Sequence, residues 1–106
     1  MDKEISPQLL KQMLDNNEDI ILIDVREEDE LNICKLNYSH HIPMRQLPSK
    51  IDELDKNKKI VVYCRSGGRS MNCCDFLLSQ GFRHVYNLSG GILAWADLID
   101  NSVAKY

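Results

Sequence analysis

The sequence predicts an α/β fold, a parallel sheet with helices on both faces. Three observations carry that expectation. Ile20-Ile21-Leu22-Ile23 and Ile60-Val61-Val62-Tyr63 are unbroken apolar runs rich in β-branched residues, the pattern of strands buried on both faces. Segments with helical spacing separate the strand-like runs, which implies βαβ units. In open parallel sheets, sites form at the carboxyl ends of strands. Asp24, Cys64 and Ser89-Gly90-Gly91 each follow such a run, so topology alone brings three distant stretches to one edge.

The elements follow in order. Ser6 before Pro7 is a helix start, and Leu9, Leu10, Met13 and Leu14 recur at helical spacing. A helix is expected from about Pro7 to Asp15, closed by Asn16-Asn17-Glu18-Asp19. The first central strand then runs into Asp24-Val25-Arg26. Glu27-Glu28-Asp29-Glu30 opens a short helix, because acidic residues complement the dipole of a first turn. His40 to Ile42 reads as a short strand ended by Pro43, and a short helix is expected around Pro48 to Leu54. Lys56-Asn57-Lys58-Lys59 is a solvated turn before the second strand. Met71, Cys74, Leu77 and Leu78 mark a helix that Gly81 closes. Cys74 falls on its apolar face, and Cys73 is expected nearer the surface. His84 to Leu88 is a further strand, Ser89-Gly90-Gly91 turns the chain, and Ile92 to Ile99 forms a final helix. Val103 to Tyr106 is expected to fray.

Bulk properties narrow the class. At 106 residues, residues 1–106 are expected to form one domain. A formal charge of −3 gives no reason to expect nucleic acid or a membrane surface as partner. Met1-Asp2-Lys3-Glu4-Ile5 has no apolar leader core and no run approaches a membrane span, so the expected location is the cytoplasm and the expected state a monomer. Cys34, Cys64, Cys73 and Cys74 are expected as free thiols. Their spacing with His40, His41 and His84 matches no metal-ligand pattern, so no metal is expected.

The chemistry concentrates in Cys64-Arg65-Ser66-Gly67-Gly68-Arg69-Ser70, between a strand and a helix. Adjacent glycines let the backbone curl until successive N–H groups face inward, a nest for an anion. Arg65 and Arg69 add positive potential, and the following helix contributes its dipole; these conditions favour thiolate over thiol. The alternative for Cys64 is a buried strand cysteine. Loop length then selects among anion chemistries. Cysteine phosphatases place five residues between Cys and Arg, a ring for a phosphoryl group. Here four residues separate Cys64 from Arg69, and the smaller ring suits a single sulfur on Cys64.

Three blocks together resemble the rhodanese family over essentially the full chain: Asp24-Val25-Arg26-Glu27, the Cys64 to Ser70 loop, and Leu88-Ser89-Gly90-Gly91-Ile92-Leu93-Ala94-Trp95. The resemblance implies a rhodanese-like three-layer fold, with a mostly parallel sheet of about four to five strands. It implies a thiosulfate sulfurtransferase in which Cys64 is catalytic. Cys64 takes a sulfane sulfur from thiosulfate or a persulfide donor and passes it to cyanide, a thiol or an acceptor protein. Arg65, Ser66, Gly67, Gly68, Arg69 and Ser70 form the persulfide-binding loop, and no organic cofactor or metal is required. A persulfide carrier in a protein relay, with thiosulfate only a surrogate, is the second reading; a phosphatase or arsenate reductase on the same fold is the third. Arg65 is the candidate for meeting an anionic donor, and Arg69 for bracing the loop. Asp24 and Arg26 are supporting residues, Asp24 capping the next turn and Arg26 pairing with Glu30. Trp95 is expected in packing, and Gly90 and Gly91 in the turn. The stretch from Cys34 to Pro43 keeps the family's Ile-Pro but not its preceding Gly-His. It resembles the rhodanese domains fused to activating enzymes of ubiquitin-like proteins, which raises Cys34 as a second thiol or, alternatively, a buried apolar residue.

Overall fold

In the computed structural model, which describes residues 3–106, five parallel strands form one sheet in the order β1-β5-β4-β2-β3. The strands are β1 (Glu4–Ile5), β2 (Ile20–Asp24), β3 (His40–His41), β4 (Lys59–Tyr63) and β5 (His84–Leu88). The helices are α1 (Pro7–Asp15), α2 (Glu28–Ile33), α3 (Leu47–Lys50), α4 (Gly68–Ser79) and α5 (Gly91–Leu98). The predicted α/β class and helix-covered parallel sheet are what the chain adopts.

Alternation along the strands builds the two halves of the core. Ile60, Val62 and Cys64 face one way with Ile23, Val25 and Val85, against Leu47 of α3 and Cys73, Cys74 and Leu77 of α4. Val61 and Tyr63 face the other way with Leu22 and Leu88, against Leu10 and Met13 of α1 and Ile92 and Trp95 of α5. Cys64 continues the parity of β4 beyond its end, so its side chain points under the start of α4. Trp95 is packed in the core as expected, 6% exposed.

Local signals placed several element ends. Ser6 Oγ accepts from the Leu9 N–H at 3.1 Å, with Pro7 in the first turn. Glu30 reaches back to the Glu27 N–H at 3.1 Å and steadies the start of α2.

Four expectations are corrected. The helix expected from Pro48 to Leu54 is broken into 3₁₀ turns at Met44–Gln46 and Ile51–Glu53 flanking the short α3. β1 was not anticipated; two residues carry no periodicity, and Glu4–Ile5 becomes a strand only through pairing with Asn87 and Leu88. Cys73 lies in the core, 2% exposed, because α4 packs it over β4 beside Cys74. Tyr106 does not fray: its hydroxyl binds Arg26 Nη1 at 2.9 Å and Glu30 Oε2 at 2.5 Å.

Candidate active site

Cys64 sits just past the carboxyl end of β4, at the head of the loop that leads into α4. Gly67 adopts φ +117°, a conformation open to glycine, and this turns the loop so that amides converge on sulfur. The Gly67 N–H donates to Cys64 Sγ at 3.1 Å and the Ser70 N–H at 3.4 Å. Ser70 Oγ lies 3.2 Å from the same sulfur. Burial alone would push the thiol up. The Ser70 hydroxyl and the amides of Ser70, Gly67 and Ser66 outweigh it, and the Cys64 thiol is held below its ordinary value.

The other cysteines behave oppositely. Burial pushes Cys73 up to about 11 and Cys74 up to about 12, so both remain protonated thiols at neutral pH. Cys34 is half-buried, 3.8 Å from Arg26 Nη1.

α5 holds the loop from below. The Ile92 N–H donates to the Cys64 carbonyl at 3.0 Å and the Leu93 N–H to the Arg65 carbonyl at 3.1 Å. Gly91 makes this approach with φ +62°, and a Cβ there would collide with both carbonyls. The Gly90-Gly91 pair therefore serves close packing of helix against loop as well as the turn.

Arg69 ties the start of α4 to α2. Its guanidinium grips Glu30 of α2 in a two-point pair at 2.6 and 2.8 Å. That partner holds the Glu30 carboxyl at about 2, with the Tyr106 hydroxyl as a further donor. Arg26 does not pair with the Glu30 carboxylate, which corrects the expected pairing: it precedes α2 and folds back on Asp24. The two are fully buried, with Nη2 to Oδ2 at 2.8 Å, and Asp24 Oδ1 also accepts the Arg26 N–H at 2.9 Å, the expected turn cap. Arg26 Nη2 additionally donates to the Cys34 carbonyl at 2.7 Å.

Arg65 is exposed, but its guanidinium stacks over the Tyr106 ring at 5.1 Å and bonds to the Tyr106 carbonyl. Ser66 and Gly68 line the exposed outer side of the loop. Tyr106 and Asn87 were not singled out from the sequence, and Glu30 only as a partner for Arg26. Asn87 did carry a signal, a polar residue sharing the parity of Val85 on the α4 face of β5. Among the described residues no group of three or more His, Cys, Asp or Glu side chains is placed to hold a metal ion. No described helix is long and apolar enough to cross a membrane.

A parallel α/β sheet that presents a cysteine in a ring of amides at a helix N-terminus defines a class of protein that handles anions or transferable groups at sulfur. The family model described as Rhodanese-like domain matches residues 6–98, and the chain belongs to that family. A relative from Allochromatium vinosum named Sulfurtransferase is 40% identical over 96 residues, covering 91% of this chain and 90% of its own. The relative from Glaesserella parasuis named Thiosulfate sulfurtransferase GlpE is 32% identical over 92 residues, covering 87% and 84%. The crystal structure of a rhodanese-like domain protein from Staphylococcus aureus superposes with a TM-score of 0.84 at 26% identity, covering 98% of each chain.

Proposed function

We propose that the protein is a sulfurtransferase that carries a sulfane sulfur on Cys64. The observation that carries this reading is the set of groups around Cys64 Sγ: the Gly67 and Ser70 amides donate to it at 3.1 and 3.4 Å, and the Ser70 hydroxyl lies 3.2 Å away. With thiosulfate, the Cys64 thiolate attacks the outer sulfur. A new S–S bond forms, the S–S bond to the sulfonate sulfur breaks, and the electron pair leaves with sulfite. The enzyme then holds Cys64–S–S⁻. An acceptor nucleophile attacks the outer sulfur, and the Cys64 thiolate returns; cyanide leaves as thiocyanate, while a thiol gives a new persulfide. The amides of the loop and the dipole of α4 favour the anionic sulfur at each stage. Arg65, Ser66, Gly67, Gly68, Arg69 and Ser70 form the cradle, and Asp24 with Arg26 supports it.

One observation favours a relay reading, in which the physiological donor is another protein's persulfide. Arg65, the cation best placed for an anionic donor, is already engaged by Tyr106. The relatives' names support transfer in general and thiosulfate in one case.

Intact mass after incubation with thiosulfate tests the reading. The expected result is a gain of one sulfur that cyanide removes and that Cys64→Ala abolishes. A gain only from a persulfide-loaded cysteine desulfurase would select the relay, and no adduct from either donor would sink both. Turnover of an aryl phosphate that Cys64→Ser abolishes would instead install the phosphatase reading.

A further inference from the structure

Asn87 lies behind the loop, 3% exposed, where the mechanism above makes no use of it. Its amide has a defined direction. Nδ2 donates to Glu4 Oε2 at 3.0 Å and to the Gly67 carbonyl at 3.2 Å, and both are acceptors. Oδ1 is therefore left facing Ser70, whose hydroxyl donates to it. Ser70 has one hydroxyl proton and three acceptors within reach: Asn87 Oδ1, the Gly67 carbonyl at 3.2 Å and Cys64 Sγ at 3.2 Å.

The two protonation states of Cys64 ask different things of that proton. In the thiol, S–H donates to Ser70 Oγ and Ser70 donates to Asn87, a fully satisfied chain. In the thiolate, sulfur has no proton to give, and its best additional donor is the Ser70 hydroxyl. That hydroxyl can serve sulfur only by leaving Oδ1, a buried carbonyl with no other hydrogen-bond donor among the described residues.

We infer that Asn87 is a positioning residue that competes with the Cys64 thiolate for the Ser70 proton and so restrains the acidity of the thiol. The inference rests on the reading that Cys64 is the reactive group. Loading relieves the competition. In Cys64–S–S⁻ the charge lies on the outer sulfur, the inner Sγ needs no hydroxyl, and the Ser70 proton returns to Asn87. The pair thus disfavours the empty thiolate relative to both the thiol and the loaded form.

Other charges around the sulfur leave this assignment standing. Arg69 at the start of α4 favours the thiolate but is held by Glu30. Cys73 on α4 is a neutral thiol, and Arg65 is turned to Tyr106. Asp24 and Arg26 on the β2 side neutralise one another, and Glu4 of β1 stands beyond Asn87.

The pH profile of Cys64 alkylation by iodoacetamide tests the inference and needs no sulfur donor. Asn87→Leu and Asn87→Ala, neither of which carries an acceptor for the Ser70 proton, should lower the midpoint by about half a unit to one unit, the worth of one hydrogen bond. One unit below the wild-type midpoint, this raises the thiolate fraction about threefold for half a unit and about fivefold for one unit. In a Ser70→Ala background the same Asn87 changes should leave the midpoint where Ser70→Ala puts it. An unchanged or raised midpoint in a folded Asn87 variant overturns the inference, as does a fall that persists without the Ser70 hydroxyl. Wild-type protein supplies a second measurement that needs no Asn87 variant. The Asn87 side-chain amide resonances should step at the Cys64 midpoint, and a flat response overturns the inference equally. Absence of a persulfide on wild type would overturn the transferase reading while leaving this profile measurable.

Discussion

Four thiols of one chain are separated by the donors around them. Cys64, Cys73 and Cys74 are all buried within one half of the core, yet only Cys64 meets convergent amides and a hydroxyl. Cys73 and Cys74 have burial without that compensation, and their thiols rise to about 11 and about 12. A resolving role for either would require a thiolate that its surroundings disfavour. Alkylation of the native protein near neutral pH, followed by peptide mass mapping, should modify Cys64 about tenfold faster than Cys73, since the large gain in thiolate is partly offset by lower nucleophilicity. Equal rates would show that the amide ring does not govern reactivity. At this scale the sequence was most legible where the backbone itself shapes the loop. Gly67, Gly68 and the count from Cys64 to Arg69 announced a nest by their spacing alone. Asn87 and Glu30 act through side chains that meet the loop from elements 17 and 39 residues away, and no local pattern encodes such a meeting.

The elements fix the loop from two sides. α4 rises from it, and α5 reaches up to it through Ile92 and Leu93. Because Gly91 takes φ +62° where a Cβ would meet the carbonyls of Cys64 and Arg65, Gly91→Ala should cost about 2 kcal/mol or more. Urea denaturation would show that loss, and a loss under half that size would mean that α5 shifts freely beneath the loop. The β2 turn is braced differently. Asp24 and Arg26 are wholly buried and share two-point hydrogen bonds, and Asp24 also takes the Arg26 N–H at the end of β2. The long strands and helices were legible because they carry their own periodicity. α3 was less so, since Met44 to Glu53 is a succession of short turns whose Leu47 and Ile51, with Leu54 just after them, are recruited by the core without sustaining one helix.

At the scale of the molecule, the loop, α2 and residue 106 are tied by one carboxylate. Glu30 receives Arg69 and the Tyr106 hydroxyl, and its carboxyl is held at about 2 against an ordinary 4.5. The folded state therefore binds this proton less readily than the unfolded chain. The stabilisation is fully present above 4.5 and is lost as pH falls through about 2. Glu30→Gln should be less stable than wild type near neutral pH, with the gap closing across that acid window. Denaturation midpoints at a series of pH values check this, and a gap that stays constant would remove Glu30 from the acid response. The sequence could not disclose this tie, because Glu30, Arg69 and Tyr106 lie far apart along the chain; Tyr106 joins these polar partners while packing with Val103 against the half of the core that holds Trp95. The parallel sheet has one further consequence. Every strand delivers its chemistry to one rim, so the opposite rim, where Asn57 stands exposed in the turn before β4, is left clear of Cys64. That turn is the natural attachment point for a tether or fluorophore: a reporter there would ride on the rigid sheet while leaving the sulfur's approach unobstructed.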